Sequence, residues 1–146
     1  MGNGNGLNGS SVIFAFLDTT HDDPKLIPEA PKEHWRGLHG EALADGLCEA
    51  GIAIQRELAR PIENRSKSWI KKQKAKISRT TTWFDKEWDL TENTIRIDLI
   101  ALACTLSWFD YKLGDELDDW RNSSTKLSAW FACFSERGSM IRTRPG

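Results

Sequence analysis

The chain is short of most features that would announce a chemistry. Its three cysteines, Cys48, Cys104 and Cys133, stand far apart. None forms a CxxC pair or joins a histidine at ligand spacing, so neither a metal site nor a disulfide scaffold is expected. Their odd number and apolar helical settings predict reduced, buried thiols of a cytoplasmic protein. Neither sign of charge is in excess: 20 Lys and Arg face 21 Asp and Glu, for a net charge of −1. No global field therefore recruits nucleic acid or an anionic membrane. No apolar run approaches the roughly 20 residues that a bilayer helix needs. His21, His34 and His39 share no catalytic or ligating spacing, and no phosphate loop or Gly-x-Ser-x-Gly occurs. The opening MGNGNGLNGSS lacks the basic and long apolar regions of a secretory signal. Gly6 stands where a myristoylation motif requires Ser or Thr.

What is present reads as helix. Seven Trp among 146 residues, with 28% charged and 39% apolar, describe one globular core rich in large rings. The organising stretch is Thr94 to Leu113, TIRIDLIALACTLSWFDYKL. From Ile95 to Trp108 its only charges are Arg96 and Asp98. Leu99, Ile100, Ala103, Leu106 and Phe109 form one stripe, with Ile95, Leu102 and Trp108 partly off it. A helix apolar nearly all round must be buried on most sides, so this is the expected central helix.

The other segments supply its packing. SSVIFAFLDTT predicts a short helix capped by Ser10 or Ser11, with Val12, Ile13, Phe16 and Leu17 on one face. HDDPKLIPEAP is an extended linker with three prolines. Residues 32–59 predict a long helix with Trp35, Leu38, Ala42, Leu43, Leu47, Ala50 and Ile54 inward. Gly37, Gly40, Gly46 and Gly51 weaken that helix and imply close approach by another backbone. Residues 66–88 predict a helix with Trp69, Gln73, Ile77, Thr80, Phe84 and Trp88 inward. A loop at 114–123 precedes a last helix, 125–137, burying Leu127, Trp130, Phe131 and Phe134 and stopping at Gly138. With no strand-like alternation longer than a few residues, the fold class is all-α: a helical bundle around a buried central helix.

Few residues suggest a site. Lys67 to Lys76 reads as a solvated helix face or as a phosphate-binding run. Asp45, set in ALADGLCEAG, is either a satisfied flank carboxylate or an acceptor for a ligand ammonium group. The tryptophans serve the core before they serve ligand stacking.

Taken together, these segments resemble the C-terminal domain of cytosolic glutathione transferases of the bacterial type. EALADGLCEAGIAIQREL followed by Arg60-Pro61 is similar to that domain's first long helix, and SWIKKQKAKISRT to its second. IALACTLSWFDYKL is similar to the central helix, and WRNSSTKLSAWFACFSERGSMIRTRP to the closing pattern. NGLNGSSVIFAFLD resembles the tail of the family's thioredoxin-like domain. The resemblance thus divides the chain into residues 1–24, a remnant of that domain with the start of the linker, and residues 25–146, the helical domain.

The resemblance implies conjugation or reduction of small electrophiles, with glutathione as co-substrate and no metal. It leaves the present chain with no catalytic residue, because the thiolate-stabilising group belongs to the thioredoxin-like domain. Ser10 matches a serine that binds the γ-glutamyl end of glutathione, while Gly9 replaces its acidic neighbour. Asp45-Gly46 matches a pair that reaches across a dimer to the glutathione amino group. Trp35, His39, Leu43 and Trp108 are the candidate wall of the electrophile pocket. The implied partners are a second copy of the chain or a docked thioredoxin-like domain, with neither nucleic acid nor membrane. The family's capping box would need a hydroxyl at position 96 and an acid at position 99. Arg96 and Leu99 stand there instead, so a frayed or shifted start is expected for the central helix. The reading from another class is a non-catalytic protein-interaction module built on the same helical domain.

Overall fold

The computed structural model describes residues 6–90, 95–117 and 120–144. Among these residues lie seven α-helices and no strand. They are α1 (Ser10–Asp18), α2 (Pro31–Leu58), α3 (Lys67–Glu87), α4 (Ile97–Lys112), α5 (Trp120–Ser123), α6 (Thr125–Ser135) and α7 (Gly138–Arg142), with 3-10 turns at Ile62–Asn64 and Gly114–Glu116. The all-α bundle expected from the sequence is the observed architecture. α4 packs mainly on α2, α3 packs along another side of α2, and α6 closes against α3 and α4.

α2 begins at Pro31, whose fixed φ and missing N–H suit a first turn. Its buried line runs Gly37, Gly40, Ala44, Leu47, Gly51 and Ile54, a spacing of three and four residues. The line expected from the sequence was rotated: Trp35 is 69% exposed and Ala42 lies open. The cause is glycine. An added Cβ at Gly40 would meet the Trp88 ring and the Asp98 Cβ, and one at Gly51 would meet the Phe109 and Trp108 rings. Close approach to these glycines does occur, but through side chains and not through a second backbone.

α3 starts at a cap: the Ser66 hydroxyl accepts the Trp69 N–H at 3.3 Å. Its inward residues are Gln73, Ile77, Thr81 and Phe84. Thr81 occupies the place expected for Thr80, and its buried hydroxyl donates to the carbonyls of Ile77 (3.2 Å) and Ser78 (3.1 Å). That local bonding lets a β-branched polar residue sit inside a helix. Trp69 is exposed and not buried.

α4 is buried through Leu99, Leu102, Ala103, Leu106 and Phe109. Leu102 is fully inside, whereas Ile100 is only half-buried, which reverses the expected assignment of these two. One flank of α4 stays open along Ala101, Cys104 and Trp108. The expectation of three buried thiols is corrected accordingly: Cys104 and Cys133 are exposed and Cys48 is half-buried.

The start of α4 is anchored, not frayed. The Arg96 guanidinium donates from Nε to Asp98 Oδ1 and from Nη2 to Oδ2, each at 3.0 Å. The indole N–H of Trp88 donates to Asp98 Oδ2 at 2.8 Å, and the Ile97 N–H donates to the Leu26 carbonyl at 3.1 Å. Arg96 and Asp98 are both buried. Asp98 therefore ties the end of α3 to the entry of α4, and the adjacent Ile97 N–H adds the linker, which a capping box alone would not do.

At the other end, Asp85 of α3 accepts the Leu127 N–H at 2.8 Å and so caps α6 from a distant element. α6 ends at Ser135, and Gly138 opens α7 instead of stopping the previous helix. Its φ is not positive, so it makes no left-handed cap.

Candidate functional site

α1 is a nine-residue helix whose large apolar side chains face outward. Val12, Ile13, Phe14, Phe16 and Leu17 are between 37% and 52% exposed. Its C-terminal end is tied down, and its start lies against α2. At the C-terminal end, the Asp18 carboxylate accepts the N–H groups of Leu26 (2.8 Å) and Ile27 (3.1 Å). At the N-terminal end, the Ser11 side chain lies beside Glu41 of α2 and draws that carboxyl's pKa down against the larger effect of burial. The helix is held in place by polar contacts while its apolar face has no cover, an arrangement a nine-residue helix does not sustain by propensity alone. Ser10 lies exposed in its first turn, preceded by Gly9 at φ 88°, which contributes no side-chain cap. Among the described residues, no side chain caps the first amides of α1.

Glu41 lies one turn before Asp45, so Ser11 near Glu41 puts the start of α1 beside the same flank of α2. Asp45 is exposed on that flank. Partial burial, with help from the neighbouring Glu49 carboxylate, raises its pKa above the usual aspartate range. Glu41 is buried and is also pushed up by burial. Further along, burial pushes up the Cys48 thiol, which lies near Thr105 of α4 and near Asp45 and Glu49. Cys104 opens to solvent on one side, while burial of its other side pushes its thiol up too. Raised thiols carry little thiolate at neutral pH, so neither is an activated nucleophile.

The four candidate wall residues do not converge. Trp35 stands exposed with its ring edge-on to His34. His39 packs edge-on against Trp83 and Trp88 at the end of α3, with ring centroids 5.5 and 6.1 Å away. Leu43 packs partly against the core. Trp108 lies beside Gly51 on the α4 side. Residues 35 and 51 are about 24 Å apart along α2 at 1.5 Å per residue. The structure instead groups Trp108 with Cys48 and Cys104 on the Asp45 flank, a set that sequence spacing did not single out. The signal was available: residues 41, 45, 48 and 52 share one side of α2, as 101, 104 and 108 do on α4.

No family model matches the chain. An uncharacterised GST-like protein, YibF, from Escherichia coli K12 is 29% identical over 106 residues, covering 70% of this chain and 52% of that protein. A crystal structure of a glutathione transferase family member from Pseudomonas fluorescens Pf-5, with bound S-(propanoic acid)-glutathione, is 35% identical. It superposes with a TM-score of 0.92 over 100% of this chain and 75% of its own. The chain belongs to the glutathione transferase family. The same Pseudomonas protein with glutathione bound gives a TM-score of 0.92. A glutathione S-transferase from Methylobacillus flagellatus KT, with glutathione bound, is 27% identical with a TM-score of 0.86, covering 96% of this chain and 70% of that one. The chain spans about half the length of the curated relative and about three quarters of the Pseudomonas transferase. Among the described residues of this family member, no helix is long and apolar enough to cross a membrane.

Proposed function

We propose that this chain is the helical part of a glutathione transferase, conjugating or reducing small electrophiles together with a thioredoxin-like domain. In this reading residues 1–24 carry the last helix of that domain and residues 25–146 form the helical domain. The observation that supports it is α1: its C-terminal end is tied down through Asp18 while its large apolar side chains stay exposed. The docked domain would supply the group that stabilises the glutathione thiolate. Ser10 would hold the γ-glutamyl carboxylate at the uncapped first turn of α1. Asp45 would accept the glutathione ammonium group held by a second copy of the chain. Its exposure on α2 favours a role reaching outward over a role inside the chain. The electrophile would lie along the flank bearing Trp108, and the unpaired thiols suit a cytoplasmic setting.

A second reading rests on the same α1 face: a non-catalytic interaction module in which another protein covers it. Assay of conjugation with chlorodinitrobenzene separates the two. The chain alone should show no turnover and no retention on immobilised glutathione. Joined to the remaining segment of the Pseudomonas relative, it should conjugate. In that form Asp45→Ala should raise the KM for glutathione about tenfold, the scale of one charge-assisted hydrogen bond, with a smaller effect on kcat. Turnover by the chain alone that Asp45→Ala abolishes would overturn the proposed division of labour. A joined form that stays inactive while a stable protein partner is captured would favour the module.

A further inference from the structure

We infer that the N-terminal half of α3 is a docking surface for an acidic segment of a partner protein. Between Lys67 and Phe84 the helix carries Lys67, Lys71, Lys72, Lys74, Lys76 and Arg79 and no acidic residue. This concentration of charge sits in a chain whose net charge is −1, so it is a local feature and not part of a general basic character.

The placement of these lysines works against the helix that bears them. Lys67–Lys71 and Lys71–Lys74 are like charges at the spacings where helical side chains meet. Lys67 and Lys71 also lie at the N-terminal end, where the helix dipole favours anions, and the first turn holds no acid. Among the described residues, no ion pair involves a lysine of this half. An anionic partner would relieve both the mutual repulsion and the unfavourable end.

The shape of the surface identifies the class of partner. Lys67, Lys71, Lys74 and Ser78 line a furrow of about 510 Å³ together with the apolar Ile70 and Ala75. A furrow lined by both apolar side chains and ammonium groups fits a segment that alternates carboxylates with apolar side chains. A single-stranded nucleic acid would want aromatic platforms along the furrow. The aromatic residue of this half, Trp69, does not line it; Lys72 lies over that ring at 5.7 Å from its centre.

The test is fluorescence anisotropy with a fluorescein-labelled peptide of repeating Glu-Glu-Leu, using the full chain. Binding should weaken as salt is added. Lys67→Glu/Lys71→Glu/Lys74→Glu should weaken it at least about tenfold, a loss of about 1.4 kcal/mol. Lys72→Glu/Lys76→Glu/Arg79→Glu makes the same change in net charge outside the furrow and should weaken it far less. The milder Lys67→Gln/Lys71→Gln/Lys74→Gln should also lose the peptide while melting at or above the parent temperature, since it removes repulsion without adding charge. Equal loss in both charge-reversed variants would reduce the effect to general electrostatics and overturn the inference. So would no loss in either, which would put the peptide on another surface such as α1. Absence of binding, or tighter binding of an oligothymidylate than of the peptide, would overturn it as well.

Discussion

Replacing glycines one at a time in α2 should give changes of opposite sign within a single helix. In an open helical position, Gly→Ala stabilises by up to about 1 kcal/mol, because alanine has less backbone freedom to lose. Gly46 is such a position: a Cβ there would meet the Lys76 ammonium at 3.7 Å, an ordinary contact with a flexible side chain. Gly40 is the opposite case. A Cβ there would come within 2.7 Å of the Asp98 Cβ and closer still to the Trp88 ring. Neither neighbour can step aside. The Trp88 indole is held by its bond to Asp98, and Asp98 is held in turn by Arg96.

Forcing a methyl into a filled core costs about 1–3 kcal/mol. Two immobile neighbours place Gly40→Ala near the upper end of that range. Subtracting the helical gain of about 1 kcal/mol leaves a net loss of about 2 kcal/mol. At about 3–4 °C per kcal/mol for a chain of this size, Gly40→Ala should melt about 6–8 °C below the parent and Gly46→Ala about 2–4 °C above it. Gly51→Ala, against the Phe109 and Trp108 rings, should fall between them. Thermal unfolding followed by circular dichroism at a single pH reads all three. If Gly40→Ala melts at or above the parent temperature, or Gly46→Ala melts below it, then room for side chains is not why these glycines are there.

Two further predictions concern charge. Asp98→Ala removes the acceptor of three hydrogen bonds and takes its carboxylate from the buried Arg96 guanidinium; a loss of about 3–5 kcal/mol is expected in urea unfolding, and a loss below about 1 kcal/mol would refute the anchoring role. Glu57 is held below the usual glutamate range chiefly by the Ser66 N–H at 2.6 Å and then by Arg60. Its contribution is therefore complete above the ordinary glutamate value of about 4.3 and is lost as pH falls through the lowered one. Glu57→Gln should flatten the decline of melting temperature in that acid window, and an unchanged slope would count against it.

The helices were legible because periodicity and end signals coincide in this chain. α2, α3 and α4 are long enough for three-and-four spacing to be counted, and Pro31, Ser66 and Pro61 mark their limits. The facing of those helices was less legible, for one physical reason. Counting apolar side chains ignores glycine, yet in α2 glycine marks the buried side, since that is where the rings of Trp88 and Phe109 enter. The same omission sent Trp35 and Ala42 inward on paper and left them open in the fold. Bonds between distant parts of the chain were also out of reach. Asp98 lies next to a position where a capping acid was sought, but its partners include Trp88, and Asp85 caps α6 from another helix.

The candidate site divides along the same line. The family resemblance suggested Ser10, local context together with that resemblance suggested Asp45, and the structure sets the start of α1 beside the flank of α2 that carries Asp45, with Ser11 near Glu41. The candidate pocket wall followed from the resemblance, which assigns the pocket to the long helix and the central helix, and that assignment does not state which neighbour a helix face meets. Trp35 and His39 lie toward the N-terminal end of α2, His39 against the tryptophans at the end of α3, whereas Trp108 packs over Gly51 beside the open flank of α4. Placement by glycine would have separated them: the side of α2 bearing Gly40 and Gly51 faces α4, and the residues next to that line, Glu41, Asp45 and Cys48, share its edge with Cys104 and Trp108 of α4. An electrophile placed on this edge meets an indole, two poorly nucleophilic thiols and carboxylates whose pKa burial has raised. Such a surface shields an apolar reagent without reacting with it. In the proposed transferase the reacting thiolate is then the substrate's own, and the helical part contributes position and exclusion of water.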